Sequence, residues 1–257
     1  MTNKPKDKGQ REARVLCWVS CGAASAVAAK LAIEKYGIDR VIPVYCDVMF
    51  DEHPDNRRFF SDIENWLGKD ITVLRSKEFT RITEVFAKSN WMSGIKGAKC
   101  TVEMKKVPRH EFERPDDIHV FGFTADEFRR IDRFKENNPE LICDWILRDQ
   151  FVTKVHCLEA IREAHIVLPK MYGLGFNNNN CIGCVKATSP EYWRKVKHFF
   201  PHIFRVRAEQ SREIGARLVR VDGVRMFLDE MPPGEHLAIV TEDLFCGPDC
   251  MPTEAKS

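Results

Sequence analysis

The stretch Val15–Leu31, VLCWVSCGAASAVAAKL, decides the fold. Its apolar first part predicts a buried strand, its alanine-rich end predicts a helix, and the small-residue turn Ser20–Ser25 joins the two. In α/β folds such a turn lies at the carboxyl end of a strand, where ligands bind. Its small side chains leave backbone N–H groups uncovered at a helix N-terminus, which suits an anion such as phosphate. An ordinary capped turn is the alternative.

Further apolar runs predict strands downstream, with helical segments between them. The runs are Arg40–Tyr45, Ile71–Leu74 and Ile118–Phe123. Strands that alternate with helices of this length favour right-handed βαβ units, and therefore a parallel sheet. We predict an α/β fold with a parallel sheet flanked by helices.

The C-terminal part is predicted to be mostly helical, with one hairpin. Apolar spacing predicts one helix over Trp145–Ala164 and helices within Pro190–Arg217. Short apolar runs flank Asp222-Gly223, a pair that favours a type I′ turn and hence a β-hairpin. We expect a disordered tail at 1–13, a main domain at 14–200 and a C-terminal extension at 201–257.

Charge and cysteine content limit the classes of function. The 40 lysines and arginines are matched by 38 aspartates and glutamates, so the net charge of +2 does not by itself imply a nucleic-acid partner. No apolar run has the length of a membrane span, and no apolar signal-peptide region follows the charged N-terminus. Ten cysteines without a secretory signal favour a reducing compartment, so we expect a cytoplasmic protein.

The cysteines divide into core positions and candidates for chemistry. The expected core positions are Cys17, Cys46, Cys143 and Cys157. The CxxC spacing of Cys181–Cys184 presents two thiolates to one metal. Zinc, an iron–sulfur cluster, a redox pair and simple packing all stay open, because one CxxC needs further ligands. Those ligands would come from Cys100, Cys246 or Cys250.

Seven separate segments add a family resemblance. They are Ser20–Ser25 (SCGAAS), Asp47–Arg58 (DVMFDEHPDNRR), Lys99–Pro108 (KCTVEMKKVP), Gly122–Arg130 (GFTADEFRR), Asp144-Trp145, Tyr172-Gly173 and Cys181–Cys184. In this order and spacing, over residues 14–200, they resemble the phosphoadenosine-phosphosulfate (PAPS) reductase family of the PP-loop adenine-nucleotide α-hydrolase superfamily. The family's phosphate loop is often SGGxDS, and its later GxRxxES element is matched loosely by GFTADEFRR.

The resemblance implies an adenine-nucleotide α-hydrolase-like, Rossmann-like fold whose main domain binds ATP or an adenylylated sulfate, PAPS or APS. The nucleotide contacts that it implies are Ser20, Cys21, Gly22, Ala23, Ser25, Asp47, Gly122, Arg129 and Arg130. We also expect three thiols to converge on a four-iron cluster, with zinc as the alternative; they are Cys100, Cys181 and Cys184. The fourth ligand would be Cys246, Cys250 or an outside group.

The sequence departs from the family pattern at several positions. The loop Ser20–Ser25 lacks the acidic residue of the ATP-pyrophosphatase branch, and in character it is closer to the reductase branch. Thr124 stands where the family usually has arginine, and Lys99-Cys100 stands where cluster-bearing reductases have tandem cysteines. Cys246-Gly247 is similar to the C-terminal Glu-Cys-Gly of reductases, but no glutamate directly precedes this cysteine.

Three functions are compatible with these features. The first is reduction of an adenylylated sulfate to sulfite, with Cys246 or Cys250 as the nucleophile and a thiol reductant such as thioredoxin as partner. The second is ATP-dependent sulfur transfer, in which a nucleobase or similar acceptor is adenylated and then thiolated. The third is a nucleotide-binding module without turnover, which the missing loop acid and Thr124 favour.

The expected partners follow from these functions. Arginines within Arg205–Arg220 would bind nucleic acid under the second function, but acidic neighbours favour an ordinary solvated helix face. We also expect a homo-oligomer and no membrane association.

Overall fold

A five-stranded parallel sheet forms the centre of the computed structural model, which describes residues 12–94 and 97–234. The strands of this sheet lie in the order β3-β2-β1-β6-β7. Two antiparallel pairs, β4-β5 and β8-β9, stand apart from it. The strands are β1 (Val15–Val19), β2 (Val41–Cys46), β3 (Thr72–Leu74), β4 (Ser93–Gly94), β5 (Gly97–Ala98), β6 (Ile118–Phe121), β7 (Ile142–Asp144), β8 (Val219–Val221) and β9 (Val224–Met226).

Helices connect the strands of the sheet and form most of the C-terminal part. They are α1 (Ala23–Tyr36), α2 (Asn56–Leu67), α3 (Ile82–Ser89), α4 (Lys99–Thr101), α5 (Val107–Phe112), α6 (Phe128–Asn137), α7 (Ile146–Asp149), α8 (Lys154–Glu163), α9 (Lys170–Gly173), α10 (Pro190–Phe199) and α11 (Pro201–Ile214). A π-helical turn, Val102–Lys106, joins α4 to α5. None of the described helices is long and apolar enough to cross a membrane.

The central position of β1 places the Ser20–Ser25 turn at the middle of the sheet. β1 pairs in parallel with β2 on one side and with β6 on the other. The chain first builds outward through β2 and β3 and later returns to the opposite side of β1, so the strand order reverses between β1 and β6. Ligands of open α/β sheets bind at the carboxyl ends of the strands at such a reversal. The predicted α/β fold is confirmed.

Small side chains allow α1 to pack closely on the sheet. Val15, Cys17 and Val19 share one core with the alanines of α1, most of which are fully buried. Because side chains alternate along a strand, Trp18 points to the opposite face of the sheet. Gly37 ends the helix with φ of 84°, in the left-handed region that favours glycine.

The predicted continuous helix over Trp145–Ala164 is wrong. The helix α7 ends at Asp149, and Phe151 adopts a φ of 55°, which interrupts helical geometry before α8 begins. Thr153 caps the new helix, since its hydroxyl accepts a hydrogen bond from the His156 N–H. Apolar periodicity missed this break because the apolar spacing continues across it. The pattern also missed β7, which pairs with β6.

The C-terminal helices and the hairpin are confirmed where the structure describes them. Asp222 and Gly223 have φ of 46° and 83°, as a type I′ turn requires. Side chains from this part belong to the same core as Val15; they include Phe204, Ala208, Leu218, Val219 and Leu228. Residues 201–228 thus pack with the main domain. Nearly all of the predicted tail at 1–13, and both Cys246 and Cys250, lie outside the described residues.

Candidate functional site

The turn after β1 forms a tight loop whose backbone faces the sheet's carboxyl edge. The Ser20 N–H donates to Ser25 Oγ over 3.0 Å, and Ser25 Oγ–H donates to the Gly22 carbonyl over 2.9 Å. Cys21 holds the left-handed φ of 52°, a conformation that a non-glycine residue adopts at some energetic cost. The N-cap residue Gly22 makes no side-chain capping hydrogen bond, and the Ala23 N–H donates to Tyr172 Oη over 3.4 Å. The loop therefore places a helix N-terminus with small side chains at the carboxyl ends of the strands, the arrangement expected of a phosphate cradle.

Two glycines of the loop region have different roles. A Cβ at Gly122, just after β6, would lie 2.6 Å from the Ser25 nitrogen, so this glycine allows β6 to approach the loop directly. A Cβ at Gly22 would meet only Tyr172 Oη at 3.6 Å and Ser20 Oγ at 3.7 Å, which are ordinary contacts. Gly122 is a packing requirement, whereas the space above Gly22 is open for a ligand.

A cleft of about 830 Å³ opens over the loop and extends across the carboxyl ends of β1 and β6. Six of the predicted site residues line it: Ser20, Gly22, Ser25, Gly122, Arg130 and Cys184. Four aromatic side chains form one side of the cleft and are called the aromatic wall: Trp18, Phe121, Phe123 and Phe134.

Four predicted nucleotide contacts lie elsewhere. The side chains of Cys21 and Ala23 are buried beneath the loop. Asp47 follows β2, where its carboxylate accepts the Met49 N–H and pairs with Arg75 at 3.0 Å. Arg129 is exposed and stacks on its neighbour Phe128. In each case a local interaction within the fold accounts for the side chain.

The three cysteines predicted as metal ligands lie within electrostatic range of one another. Cys100 lies on α4. Besides burial, the nearby thiol of Cys184 raises the pKa of the Cys100 thiol and that of the Cys181 thiol. The CxxC segment is held by Tyr192, whose hydroxyl accepts the Cys184 N–H over 2.7 Å. Gly183 has the left-handed φ of 69° that turns the segment back on itself. Burial raises the pKa of the Cys100 and Cys181 thiols above the ordinary value.

Two cations face this group of thiols. Arg207 of α11 is only 2% exposed, and its Nε has no hydrogen-bond partner within the described residues. Burial lowers the pKa of Arg207, while Asp51 and the three thiols act in the opposite direction. Burial also acts to lower the pKa of Lys105, but nearby Cys181 and Glu52 outweigh it and the pKa is raised. A buried cation whose hydrogen bonds are incomplete, as in Arg207, indicates that negative charge belongs beside it.

Cysteine thiolates are the ligands that both a four-iron cluster and a structural zinc ion take. All eight described cysteines are free thiols. No group of three or more cysteine, histidine or acidic side chains in the described chain is spaced to hold one metal ion. A cluster or ion held by thiolates carries negative charge that Arg207 and Lys105, next to the three thiols, would balance.

Most of the basic side chains that line the cleft, unlike Arg130, are not among the predicted site residues. Five of them, called the cationic rim, line the cleft: Lys105, Lys106, Arg109, Lys154 and Lys186. The first three follow Cys100 on the helical segment that begins at α4. The basic run in KCTVEMKKVP is the feature of the sequence from which Lys105 and Lys106 could have been predicted. Burial lowers the pKa of Lys154, which donates to the Asn178 side-chain oxygen at 2.9 Å.

A buried chain of polar groups connects the Ser20–Ser25 loop to the CxxC segment. Asn179 donates from Nδ2 to the Cys21 carbonyl at 2.6 Å and to Asn56 Oδ1 at 2.9 Å. Asn56 in turn donates to Glu52 Oε2, which also accepts the Tyr45 hydroxyl at 3.1 Å. Asparagine runs are common in solvated loops, so the sequence alone gave no reason to separate Asn179 from its neighbours.

The basic stretch near α11 does not present a continuous cationic surface. Arg207 is buried, and Arg212 forms ion pairs with Asp229 at 2.9 Å and Glu230 at 2.8 Å. This arrangement agrees with the solvated-face interpretation for Arg212 and removes Arg207 from any nucleic-acid contact.

Comparison with known proteins adds no relative. No family model matches the sequence, and no curated protein or solved structure matches it either. The resemblance to the PAPS reductase family therefore depends on the seven sequence segments and on the site that they form.

Proposed function

We propose that this protein is an adenine-nucleotide enzyme of the PAPS reductase family that reduces an adenylylated sulfate to sulfite, with a four-iron cluster beside the nucleotide. The finer fold class, adenine-nucleotide α-hydrolase-like, belongs to the same proposal. It is supported by the parallel sheet, by the small-residue loop at the strand-order reversal and by the three thiols next to that loop.

The choice of substrate in this proposal is based on the charged side chains that line the cleft. Seven lysines and arginines line it against three carboxylates. Two of those carboxylates are already paired, Glu127 with Arg130 at 2.5 Å and Glu191 with Lys195 at 2.7 Å. Magnesium-dependent ATP sites hold the ion with one or two carboxylates, and the loop Ser20–Ser25 supplies none. Fixed cations next to a carboxylate-free loop suit a nucleotide whose phosphate and sulfate charges are neutralised by side chains.

In this function the chain's own groups bind the substrate and stabilise the charge that develops. Backbone N–H groups at the start of α1 and the Ser20 hydroxyl hold the 5′-phosphate, while the Ser25 hydroxyl, which donates to the Gly22 carbonyl, keeps the loop in shape. The cationic rim neutralises the sulfate and the departing phosphate oxygen. Because these cations are already in place, little reorganisation is needed during reaction.

The covalent step is assigned to a C-terminal cysteine. The thiolate of Cys246 or Cys250 attacks the sulfate sulfur; an S–S bond forms, the bond to the bridging oxygen breaks, and the nucleotide leaves with its 5′-phosphate. A thiol reductant such as thioredoxin then attacks the cysteine sulfur, forming a disulfide and releasing sulfite. Both cysteines lie outside the described residues, so this assignment stays a prediction from the sequence.

The cluster ligands of the proposal are Cys100, Cys181 and Cys184. When bound, a cluster supplies a compact, anionic and redox-active centre near the nucleotide. Arg207 and Lys105 balance its charge from the protein side. Of the three ligands only Cys184 also lines the cleft, so it is the point at which the thiol group and the nucleotide site meet.

ATP-dependent sulfur transfer to a nucleobase is the second candidate, favoured by one observation. The cleft continues beyond the phosphate loop along the aromatic wall, which leaves room for an acceptor ring beside a bound nucleotide. The same loop, cations and thiols would serve this reaction.

Product analysis separates the candidates. Anaerobically purified full-length protein is incubated with PAPS or APS plus a thiol reductant, and separately with ATP. Sulfite from a sulfonucleotide is the expected result. Pyrophosphate from ATP in the presence of an acceptor, without sulfite, contradicts the first candidate and supports the second. Nucleotide binding with neither product indicates a module without turnover.

Separate Cys246→Ser and Cys250→Ser variants test the nucleophile. Loss of sulfite with an unchanged cluster spectrum identifies the nucleophile, whereas loss of the spectrum identifies a cluster ligand. If both variants keep the cluster and the activity, the reductase mechanism is wrong.

A further inference from the structure

The aromatic wall is an unusual lining for a cleft that is otherwise ringed by cations. Trp18 and Phe121 are register partners on β1 and β6, and their rings stack with centroids 6.3 Å apart and planes 16° apart. Phe121 also contacts Phe134 of α6 at 4.8 Å and Phe123 at 5.9 Å. Trp18, Phe121 and Phe134 are only partly buried, so their rings remain accessible from the cleft.

The wall is held in place by groups behind it. The Trp18 indole N–H donates to His119 Nδ1 over 3.0 Å, and His119 is only 1% exposed. Burial lowers the pKa of His119, so its ring is neutral and Nδ1 accepts. Trp145 packs against Phe123 with ring centroids 5.7 Å apart. Because its polar atom is already bonded within the protein, the indole offers the cleft a rigid apolar surface.

Cations border the wall as well. The Arg130 guanidinium lies 4.6 Å from the centre of the Phe123 ring, and Lys106 and Arg109 line the same cleft. Exposed aromatic faces stack on the faces of planar rings, and adjacent cations favour a ring that carries anionic groups. The wall begins at Trp18, two residues before Ser20 of the phosphate loop.

We propose that the aromatic wall is a stacking site for a planar heteroaromatic ring, namely a nucleobase. The base belongs either to the nucleotide held at the phosphate loop or to a second substrate. This proposal rests on the proposed function in one respect, because it assumes that the phosphate loop binds the phosphate of the nucleotide. The family resemblance implies Asp47 as a nucleotide contact, but its carboxylate pairs with Arg75 and accepts the Met49 N–H.

Stacking is tested with variants that keep apolar volume but remove the π-face. Phe121→Leu and Phe134→Leu are compared with Phe151→Leu, a matched control at a ring that is 81% exposed and lies outside the cleft lining. Calorimetry measures the binding of AMP and of ribose 5-phosphate, which has the same phosphate but no base. Base stacking on an aromatic side chain changes affinity by about 5- to 150-fold.

Loss of AMP affinity by about tenfold in the wall variants, with ribose 5-phosphate unchanged, assigns the wall to the nucleotide's own base. A second titration adds adenosine, cytidine and uridine to protein saturated with ribose 5-phosphate. If AMP binding is unchanged but binding of a nucleoside falls about tenfold in this titration, the wall receives the base of a second substrate. Unchanged binding in both titrations overturns the proposal.

Failure of the proposed function gives a different result. If the unmodified protein binds neither AMP nor ribose 5-phosphate, the phosphate-loop assignment is wrong, and the nucleoside titration alone decides the wall. Nucleosides that bind the unmodified protein and the Phe151→Leu control, but bind the wall variants weakly, then still support stacking. Nucleosides that bind none of the proteins, or all equally, contradict it.

Discussion

The side-chain amide of Asn179 donates a hydrogen bond to the carbonyl oxygen of Cys21 across 2.6 Å. This bond joins the phosphate loop to the segment that leads directly into Cys181, two elements separated by 158 residues in sequence. It also holds the one loop residue with a left-handed backbone, Cys21 at φ of 52°. The geometry of the Ser20–Ser25 loop and that of the CxxC segment are thus coupled through one buried side chain, Asn179, which is 5% exposed.

Replacing Asn179 should therefore disturb both elements. Asn179→Ala leaves the Cys21 carbonyl and Asn56 Oδ1 without their donor, and unsatisfied buried acceptors cost about 1–3 kcal/mol each. We expect the free energy of unfolding to fall by about 2 kcal/mol and nucleotide affinity to fall about tenfold. Denaturant unfolding and calorimetry measure the two effects. Asn177→Ala, at an exposed side chain of the same run, is the stability control. Equal stability of the two variants would contradict the coupling.

Gly22 provides a substitution that separates binding from folding. It is the N-cap of α1, with φ of −105° and ψ of 150°, a conformation open to any residue. Aspartate is a favourable N-cap, so Gly22→Asp should keep or slightly raise the thermal midpoint. Its carboxylate would fill the cradle and repel phosphate, so nucleotide binding should be abolished. Gly22→Ala, which meets only contacts of 3.6 Å and longer, is the control and should retain binding. Nucleotide affinity that is unchanged in Gly22→Asp would show that the loop is not the phosphate site.

Local sequence patterns predicted the sheet and the loop, because each depends on neighbouring residues. The alternation of apolar runs with helical segments was sufficient for the parallel sheet, and SCGAAS was sufficient for the turn after β1. The helix break at Phe151 was missed, since a left-handed residue leaves no mark in apolar spacing.

Contacts between distant residues could not be predicted in the same way. Arg207 resembles any other arginine of an amphipathic helix until α11 packs against the CxxC segment and buries it. Asp47 follows a central strand, as a ligand contact would, but Arg75 lies close enough to neutralise it. Both outcomes depend on how separate elements pack, which a single sequence does not specify.

Glu52 should make stability depend on pH. Burial raises the pKa of this carboxyl above its ordinary value, against the opposing effects of Lys105 and of the Asn56 hydrogen bond. A folded-state pKa above the unfolded one means that Glu52 contributes stability at acid pH and loses it as pH rises through the folded pKa. The stability difference between Glu52→Gln and the unmodified protein should therefore shift in favour of the variant as pH rises from about 4 to 7. Glu34→Gln, at an exposed position of α1, is the control. Denaturant unfolding across this range measures both, and parallel pH profiles for Glu52→Gln and the unmodified protein would contradict the assignment.

Arg207 should change the reduction potential of the proposed cluster without being one of its ligands. Its buried guanidinium faces Cys100, Cys181 and Cys184, and its Nε has no partner in the described chain. Reduction adds negative charge to a cluster, so a nearby cation stabilises the reduced form. A unit charge about 8 Å away contributes roughly 2 kcal/mol at an effective dielectric constant of 20, equivalent to about 90 mV for one electron. Arg207→Met keeps an apolar side chain at this position but removes the charge and the guanidinium that lies over the Phe86 ring. We expect anaerobic protein to be brown, Cys181→Ser to be colourless, and Arg207→Met to keep the visible absorbance with a reduction potential lower by that amount.

Arg212→Met on the same helix removes an exposed, ion-paired charge and should leave the potential unchanged. Colourless anaerobic protein with stoichiometric zinc would reject the cluster, and equal potentials in Arg207→Met and Arg212→Met would reject the role of the buried charge.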